Sequence, residues 1–369
     1  MANILTCYYR PKPGGLCRRL FRAVRAVLER GHTVHYLAIE PFPIVHPNCI
    51  FHRFPWPRRY GDTLLFWSFF FLLSPFYLLF IAVANRVSHA FAFGTAYSFC
   101  MQPLRWVKGI GLTCFLRGDA VVNHKLRQHP AWIAGVEKIV EGMGIKGVHL
   151  VAVAVHLISS VRSRHPRMAP GKCSVLPNDI SDDSPTGERE HHAPLHLAMV
   201  GMIEPRKNNI FALEILQKLR GRQWHLWIYG EGPDVDKLVS YTKESGLYDQ
   251  VSFLGWQDPA NIWPHIDLLI FPSLHEGMPN AVLEAIASHV AVIASDIQAH
   301  RDILSPKQLF SLTDPEAWQR VLEKVIDAPG SMLKQMRHQQ AQCAARLAFD
   351  WEEEVARLIV SDDANGSVS

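Results

Sequence analysis

The chain lacks the marks of several protein classes. Its 369 residues include seven cysteines (Cys7, Cys17, Cys49, Cys100, Cys114, Cys173 and Cys343), with no C-x-x-C pair among them. An odd, scattered set argues against a full disulfide framework, so the thiols read as reduced and the chain as cytoplasmic. Nineteen histidines occur without H-E-x-x-H or comparable ligand spacing, so no metal site is expected. The opening MANILTCYYR has a strand pattern at residues 4–9, not the apolar core of a signal peptide. No short repeat is present. Net charge is only +4 and no nucleic-acid-binding motif accompanies it, so nucleic acid is not an expected partner.

What is there describes a globular chain. Hydrophobic residues make up 48% and charged residues 20%, over a length that suits two ordinary domains. The charge is uneven. Residues 1–60 hold ten cations (Arg10, Lys12, Arg18, Arg19, Arg22, Arg25, Arg30, Arg53, Arg58 and Arg59) against Glu29 and Glu40, a surplus of +8. This reads either as solvated helix and loop residues, or as a surface for anionic lipid headgroups or a phosphate-bearing acceptor.

Residues 63–84, TLLFWSFFFLLSPFYLLFIAVA, carry no charge. By length they could span a bilayer. A span would put strands of one sheet on opposite sides of the membrane, and Pro75 should break or kink the run. Three readings stay open: a membrane-touching helical pair, a buried helix or oligomer contact, and a true span. The neighbouring Arg53, Arg58 and Arg59 favour the first, because apolar insertion plus basic charge gives stable membrane binding.

The order of the remaining patterns is α/β. Residues 3–9 read as a strand, 10–15 as a Gly-containing loop, 16–30 as a helix ended by Gly31, and 33–38 as a strand, which is the opening of a Rossmann-like half. Further strands are expected at 90–94, 111–116 and 149–155. The polar stretch 181–194 reads as a linker. Strands at 195–200, 224–229 and 251–254 and a short helix at 261–266 lead to the densest pattern in the chain.

That pattern is FPSLHEGMPNAVLEAIASHVAVIASD, residues 271–296. A strand over 267–272 runs into a loop at 273–278. Pro279 is expected at the first helical position, followed by a helix over 280–288 and a strand over 291–295. Glu276 stands in the loop. Glu284 stands in the helix, roughly 8 Å along the axis from Pro279. Free N–H groups and the dipole at the helix start favour an anion, and Gly277 lets the backbone approach it. A diphosphate with hydroxylated groups at both ends, as in a nucleotide sugar, suits this layout.

The stretch resembles the signature of glycosyltransferase family 4, retaining enzymes of the GT-B fold. The pattern E-G-x-P-x-x-x-x-E-A stands here as Glu276-Gly277-Met278-Pro279-Asn280-Ala281-Val282-Leu283-Glu284-Ala285. The resemblance implies two Rossmann-like α/β domains with a cleft between them. They would be an N-terminal acceptor domain at 1–178, a linker at 179–194, and a nucleotide-sugar domain at 195–345. A crossover helix at 346–360 and a disordered tail at 361–369 would follow. SVLPN, residues 174–178, resembles the strand entering the second domain.

The resemblance also implies roles. Glu276 would hold donor-sugar hydroxyls and Glu284 the ribose. Lys207 with Arg206 would stabilise the leaving diphosphate, one as a point charge and the other as a fork. Gly201 and Gly230 mark family turns, and the backbone at Gly277, Met278, Pro279 and Asn280 would help bind the donor. Gly15, with Gly14, would lie over the cleft. Arg117 stands where the family often has His. It would hold a phosphate and Asp119 an acceptor hydroxyl, or the two form a surface turn with an Arg–Asp pair. Met202 replaces a usual Arg, Asp179 a usual Gly, and His289-Val290 a usual Gly-Pro.

No second carboxylate is placed as a nucleophile, so no double displacement is expected. No metal or other cofactor is implied. The expected activity is sugar transfer from a nucleoside diphosphate donor to a hydroxyl of a lipid-linked or saccharide acceptor, with retention. It would serve polysaccharide or glycolipid synthesis on an anionic membrane surface, the inner face of the cytoplasmic membrane. The alternative is a non-catalytic sugar-nucleotide sensor or scaffold of the same fold.

Overall fold

The computed structural model describes residues 1–12, 14–107, 109–180 and 190–360. The expected tail at 361–369 and most of the expected linker, 181–189, lie outside the described residues. Two compact units emerge. The first takes 1–121, 130–177 and the chain from 350, and the second takes 122–129 and 178–349.

The elements of the first stretch run β1 (Asn3–Cys7), α1 (Gly15–Glu29), β2 (Thr33–Ala38), β3 (Cys49–Arg53), α2 (Leu64–Ala84), β4 (His89–Phe93), α3 (Thr95–Met101), β5 (Gly111–Leu116), α4 (Ala120–Leu126), α5 (Ala131–Ile145), β6 (His149–Ala152), α6 (Val155–Arg164) and β7 (Lys172–Val175). The seven strands form one parallel sheet in the order β3-β2-β1-β4-β5-β6-β7. The sequence reading missed β3, which lies at the sheet edge between proline-containing loops. It also placed the strand at 174–178 at the entry to the second domain. The structure instead makes 172–175 the last strand of the first sheet.

α1 forms because Leu20, Val24, Val27 and Leu28 share one buried face at helical spacing. Its basic face is not all turned to solvent. A late helix, α14 (Trp351–Val360), belongs to this unit, and its acids pair with α1: Arg22 with Glu352 and Arg30 with Glu353. Buried Trp351 lies under Arg19 and Arg22, 5.1 and 5.0 Å from their guanidinium carbons. Part of the N-terminal charge surplus is therefore neutralised within the fold.

α2 is one helix of 21 residues, not a helical pair, and it runs unbroken through Pro75. Thr63 caps it, its hydroxyl accepting from the Phe66 N–H at 3.2 Å. Phe66, Phe70, Ser74, Leu78, Ile81 and Ala82 make a buried stripe. Phe70 packs on Phe54 and Tyr97, with ring centroids 5.0 and 6.3 Å apart. Burying side chains of this size contributes roughly 1.5–3 kcal/mol each. That offsets the hydrogen bond Pro75 removes. The opposite face, with Leu65, Phe69, Leu72, Phe76, Phe80 and Val83, is exposed or nearly so in every position. By length and composition α2 could cross a membrane, and only 28% of its most apolar 18-residue window is buried. The fully buried helix of the sequence reading is thereby excluded.

The second unit continues with β8 (Leu195–Val200), α7 (Asn209–Lys218), β9 (Trp224–Tyr229), α8 (Val235–Glu244), β10 (Val251–Gly255), α9 (Pro259–Ile262), β11 (Leu268–Phe271), α10 (Asn280–Ala287), β12 (Ala291–Ser295), α11 (Gln298–Arg301), β13 (Leu309–Phe310), α12 (Pro315–Asp327) and α13 (Pro329–Ala344). Its six parallel strands lie in the order β10-β9-β8-β11-β12-β13. Both faces are covered. Leu197, Met199, Leu268 and Ile270 pack to one side with Leu213 and Trp318. Ala198, Leu269 and Phe271 pack to the other with Val282, Leu283 and Ile286. This two-sided burial explains why the strands read as continuous apolar runs.

Candidate functional site

The site forms at the C-terminal ends of β8, β9 and β11, where a doubly wound sheet offers its loops. Gly201 follows β8 and Gly230 follows β9, both with φ of 135°. The two turns touch. A Cβ on Gly230 would lie 1.9 Å from the Gly201 carbonyl oxygen, and one on Gly201 would lie 3.1 Å from Lys207 Cε. The chain then makes a 3-10 turn at Pro205–Lys207, closed by Asn208 in the left-handed region at φ 54°. The Leu274 N–H donates to the Arg206 carbonyl at 2.8 Å, which fastens this turn to the loop after β11.

Here the expected cations and the expected carboxylate meet. Lys207 Nζ lies 2.8 Å from Glu276 Oε1, and the Arg206 guanidinium lies 2.7 Å from Glu276 Oε2. Arg206 also donates to the His275 carbonyl at 3.0 Å and pairs with buried Glu204 at 2.8 Å. Arg127 donates to the other oxygen of Glu204 at 2.6 Å. Lys207 Nζ stands 4.1 Å from the Phe271 ring centroid, a cation–π contact. Three cations thus face two carboxylates.

Burial pushes the Glu276 carboxyl up, but Lys207 and Arg206 outweigh it and hold the pKa at about 2. Lys207 goes the other way. Burial pulls its ammonium below the usual lysine range, and Glu276, shared with Arg206, does not fully restore it. Burial likewise drives His300 down to about 4. Its imidazole is therefore neutral at pH 7 and donates from Nδ1 to the Ser295 carbonyl at 2.8 Å. The ring lies 5.5 Å from Phe271, on which Lys207 rests.

Pro279 is not the first helical residue but the N-cap of α10. Its carbonyl accepts from Val282 and Leu283 at 3.1 and 3.3 Å. Asn178 ties down the same loop, donating from its side chain to Asn280 Oδ1 at 2.7 Å and from its N–H to Met278 Sδ at 3.0 Å. Gly277 is buried beside Glu276, and Glu284 is half-buried further along the helix.

Four expected residues lie in the first unit. Gly14 is the N-cap of α1 at φ 127°, and Gly15 opens the helix. Arg117 sits over the Phe93 ring at 6.0 Å. Asp119, expected to hold an acceptor hydroxyl, is only 1% exposed. Its carboxylate takes Arg164 at 2.7 Å and Ser160 at 2.8 Å, and Arg164 also holds Glu141 at 2.9 Å. Asp119 thus has an arginine partner in Arg164, and this pair is internal and not at a surface turn.

Sequence reasoning missed Glu204, Phe271 and His300 as parts of the site. Glu204 was visible in the E-P-R-K run, two residues before Arg206. No local signal marked the other two. Among the described residues, no group of three His, Cys, Asp or Glu could hold a metal ion.

Two doubly wound parallel sheets, one carrying this cluster at its strand ends, define the GT-B fold. Sucrose-phosphate synthase from Thermosynechococcus elongatus shares it, with a TM-score of 0.75 over 96% of each chain at 15% identity. Residues 194–328 match the family described as glycosyl transferases group 1. Among curated relatives, the lipopolysaccharide core biosynthesis glycosyltransferase LpsE of Rhizobium meliloti is 25% identical over 138 residues, 36% of this chain and 40% of that one. The UDP-Gal:alpha-D-GlcNAc-diphosphoundecaprenol alpha-1,3-galactosyltransferase of Escherichia coli is 30% identical over 138 residues, 35% of this chain and 36% of that one. The chain thus spans well under half the length of these relatives.

Proposed function

We propose that this protein transfers a sugar from a nucleoside diphosphate sugar to a hydroxyl of a lipid-linked or saccharide acceptor, with retention, in glycan synthesis at a membrane surface. The buried Arg206–Glu276–Lys207 cluster at the start of α10 carries this reading. As the glycosidic bond breaks, negative charge gathers on the leaving diphosphate. Lys207 and Arg206 offer fixed donors in a site already shielded from water, where such contacts are strongest. Glu276 then turns from its cations to hydroxyls of the donor sugar, and Glu284 accepts from the ribose. The basic residues and the helix start carry the phosphates without a metal. Retention follows from the resemblance to family 4.

The names of the two curated relatives support glycan synthesis, and one of those names includes a diphosphoundecaprenol acceptor. The exposed apolar face of α2, next to Arg58 and Arg59, supports a membrane-proximal acceptor. Exposed Met202 stands where the resemblance expects an Arg, which favours a second reading, a nucleotide-sugar sensor. Against it, Arg127 brings a guanidinium nitrogen to 3.5 Å from the Met202 sulfur and so supplies a cation at that point.

A donor panel tests the proposal. The protein is incubated with UDP-, GDP-, ADP- and dTDP-sugars while nucleotide release is followed. Slow hydrolysis of one donor, lost in Glu276→Ala and Lys207→Ala, is expected. Saturable nucleotide binding that stays without turnover across an acceptor series would favour the sensor. No binding to any donor at millimolar concentration would overturn both readings.

A further inference from the structure

β1 runs out into Tyr9, Arg10 and Lys12, and these three converge on Asp62. The Tyr9 hydroxyl donates to Asp62 Oδ1 at 2.7 Å, Lys12 Nζ lies 2.9 Å from the same oxygen, and Arg10 pairs with the other one. Asp62 therefore orients two cations rather than cancelling them. Arg10 Nε is buried with no hydrogen-bond partner. Lys12 is half-exposed over the Tyr9 ring, 5.0 Å from its centroid.

The same tyrosine joins this corner to α2. Its ring lies 4.9 Å from Trp67 and 5.5 Å from Phe66, both in the first turn of the helix. Trp56 stands close by. Its Nε1 donates to the Tyr60 carbonyl at 3.1 Å, and its ring lies 5.7 Å from Phe66 and 5.6 Å from Phe69. An open hollow of about 580 Å³ is lined by Arg53, Pro55, Trp56 and Pro57. Arg58 and Arg59 are exposed in the following turn. Five cations (Arg10, Lys12, Arg53, Arg58 and Arg59) thus gather near two carboxylates, Asp62 and Glu40, a surplus of +3.

The polarity of this region is the informative feature. Five cations gather at the N-terminal end of α2, whereas a single one, Arg86, follows its C-terminal end in the sequence. From Leu64 to Ala84 the helix carries no charge, over roughly 31 Å at 1.5 Å per residue. A phosphorylated lipid has the same polarity, with an anionic head and a long apolar chain. We propose that Arg10 and Lys12 hold the phosphate or diphosphate of the acceptor lipid, that Trp56 and Trp67 flank the junction, and that the lipid chain lies along the exposed face of α2. This rests on the reading of the protein as a transferase with a lipid-linked acceptor, and adds the headgroup site and the direction of the chain.

The test is a titration of the full chain with dodecyl phosphate below its micellar concentration, followed by tryptophan fluorescence. Saturable binding is expected. It should weaken by about tenfold or more in Arg10→Gln/Lys12→Gln and in Leu72→Ser/Phe76→Ser, and dodecyl maltoside and inorganic pyrophosphate should each bind at least about tenfold more weakly. Equal binding of dodecyl maltoside would reduce the region to an apolar surface. Equal binding of pyrophosphate would reduce it to a simple anion site. Unchanged affinity in the double Gln variant would also overturn the proposal. Should that variant misfold, Lys12→Gln alone, at a half-exposed position, should still lose about threefold, and no loss there is equally contrary. A parallel titration with nucleoside diphosphates separates the two readings. Loss of nucleotide binding with dodecyl phosphate binding intact would sink only the transferase reading, and the reverse only this one.

Discussion

The protein builds the same trio twice, a carboxylate between an arginine and a lysine, and uses it in opposite ways. In the second unit the side chains of Arg206, Lys207 and Glu276 are 16%, 13% and 8% exposed. In the first unit those of Arg10, Lys12 and Asp62 are 27%, 42% and 48% exposed. Burial makes the first trio interdependent, because a charge left without its partner there has no water to turn to. Exposure makes the second trio nearly neutral for stability, since water screens each pair. What the exposed trio offers is free donors for a ligand. The comparison says that where a charge sits, more than which residues pair, decides whether a cluster supports the fold, the chemistry or an encounter.

The largest expected effect is at the buried trio. Glu276→Ala leaves Arg206 and Lys207 facing each other and should cost roughly 3–5 kcal/mol of stability. Donor turnover should fall by roughly 10²–10³-fold. Asp62→Ala should cost under about 1 kcal/mol, denaturant titration being the measurement for both variants. Similar losses at the two sites would break the comparison. Phe70→Ala, on the buried face of α2, should cost about 3–5 kcal/mol.

An acid titration sharpens the contrast. The folded-state pKa of Glu276, about 2, lies below its usual 4.5. Its pairing therefore stabilises the fold fully above pH 4.5 and is lost as pH falls through about 2. That contribution is on the order of 3 kcal/mol. The stability gap between wild type and Glu276→Gln should shrink over that window. A gap that stays constant between pH 5 and 2 would contradict the assignment. The smallest effect is expected on the outer face of α2. Leu72→Ser/Phe76→Ser should change stability by no more than about 0.5 kcal/mol per site, yet abolish flotation with vesicles that contain anionic phospholipid. Retained flotation would remove the membrane role of that face.

The buried trio was the more legible of the two in the sequence. Glu276 and Lys207 follow strand ends, and strand ends are marked by apolar runs and glycines that local pattern reveals. The details depended on three-dimensional neighbours. Pro279 reads as a first helical residue by its position before an apolar period, but its extended ψ of 106° makes it the cap. Asp119 reads as a loop acid because its partner, Arg164, lies 45 residues later on α6. Pro75 reads as a break because sequence does not show that Phe70, Leu78 and Ile81 are held on the fold by their own packing. The charge surplus of residues 1–60 overstates the free basic surface, since α14 takes up Arg22 and Arg30 from the far end of the chain. The corner at Asp62 was not legible at all. It joins residues about 50 positions apart through a tyrosine, and no spacing rule connects them.

The most direct test of the central claim is calorimetric titration of UDP, GDP, ADP and dTDP into wild type, Lys207→Met and Lys12→Met. The account predicts that one nucleotide binds the wild type saturably, and that Lys207→Met weakens it by about tenfold or more, one lost charge-assisted contact being worth roughly 1.5–3 kcal/mol. Lys12→Met should leave that affinity within about twofold, because screened surface charges contribute little to it. Equal losses in the two variants, or no loss in Lys207→Met, would contradict the assignment of the buried trio as the diphosphate site.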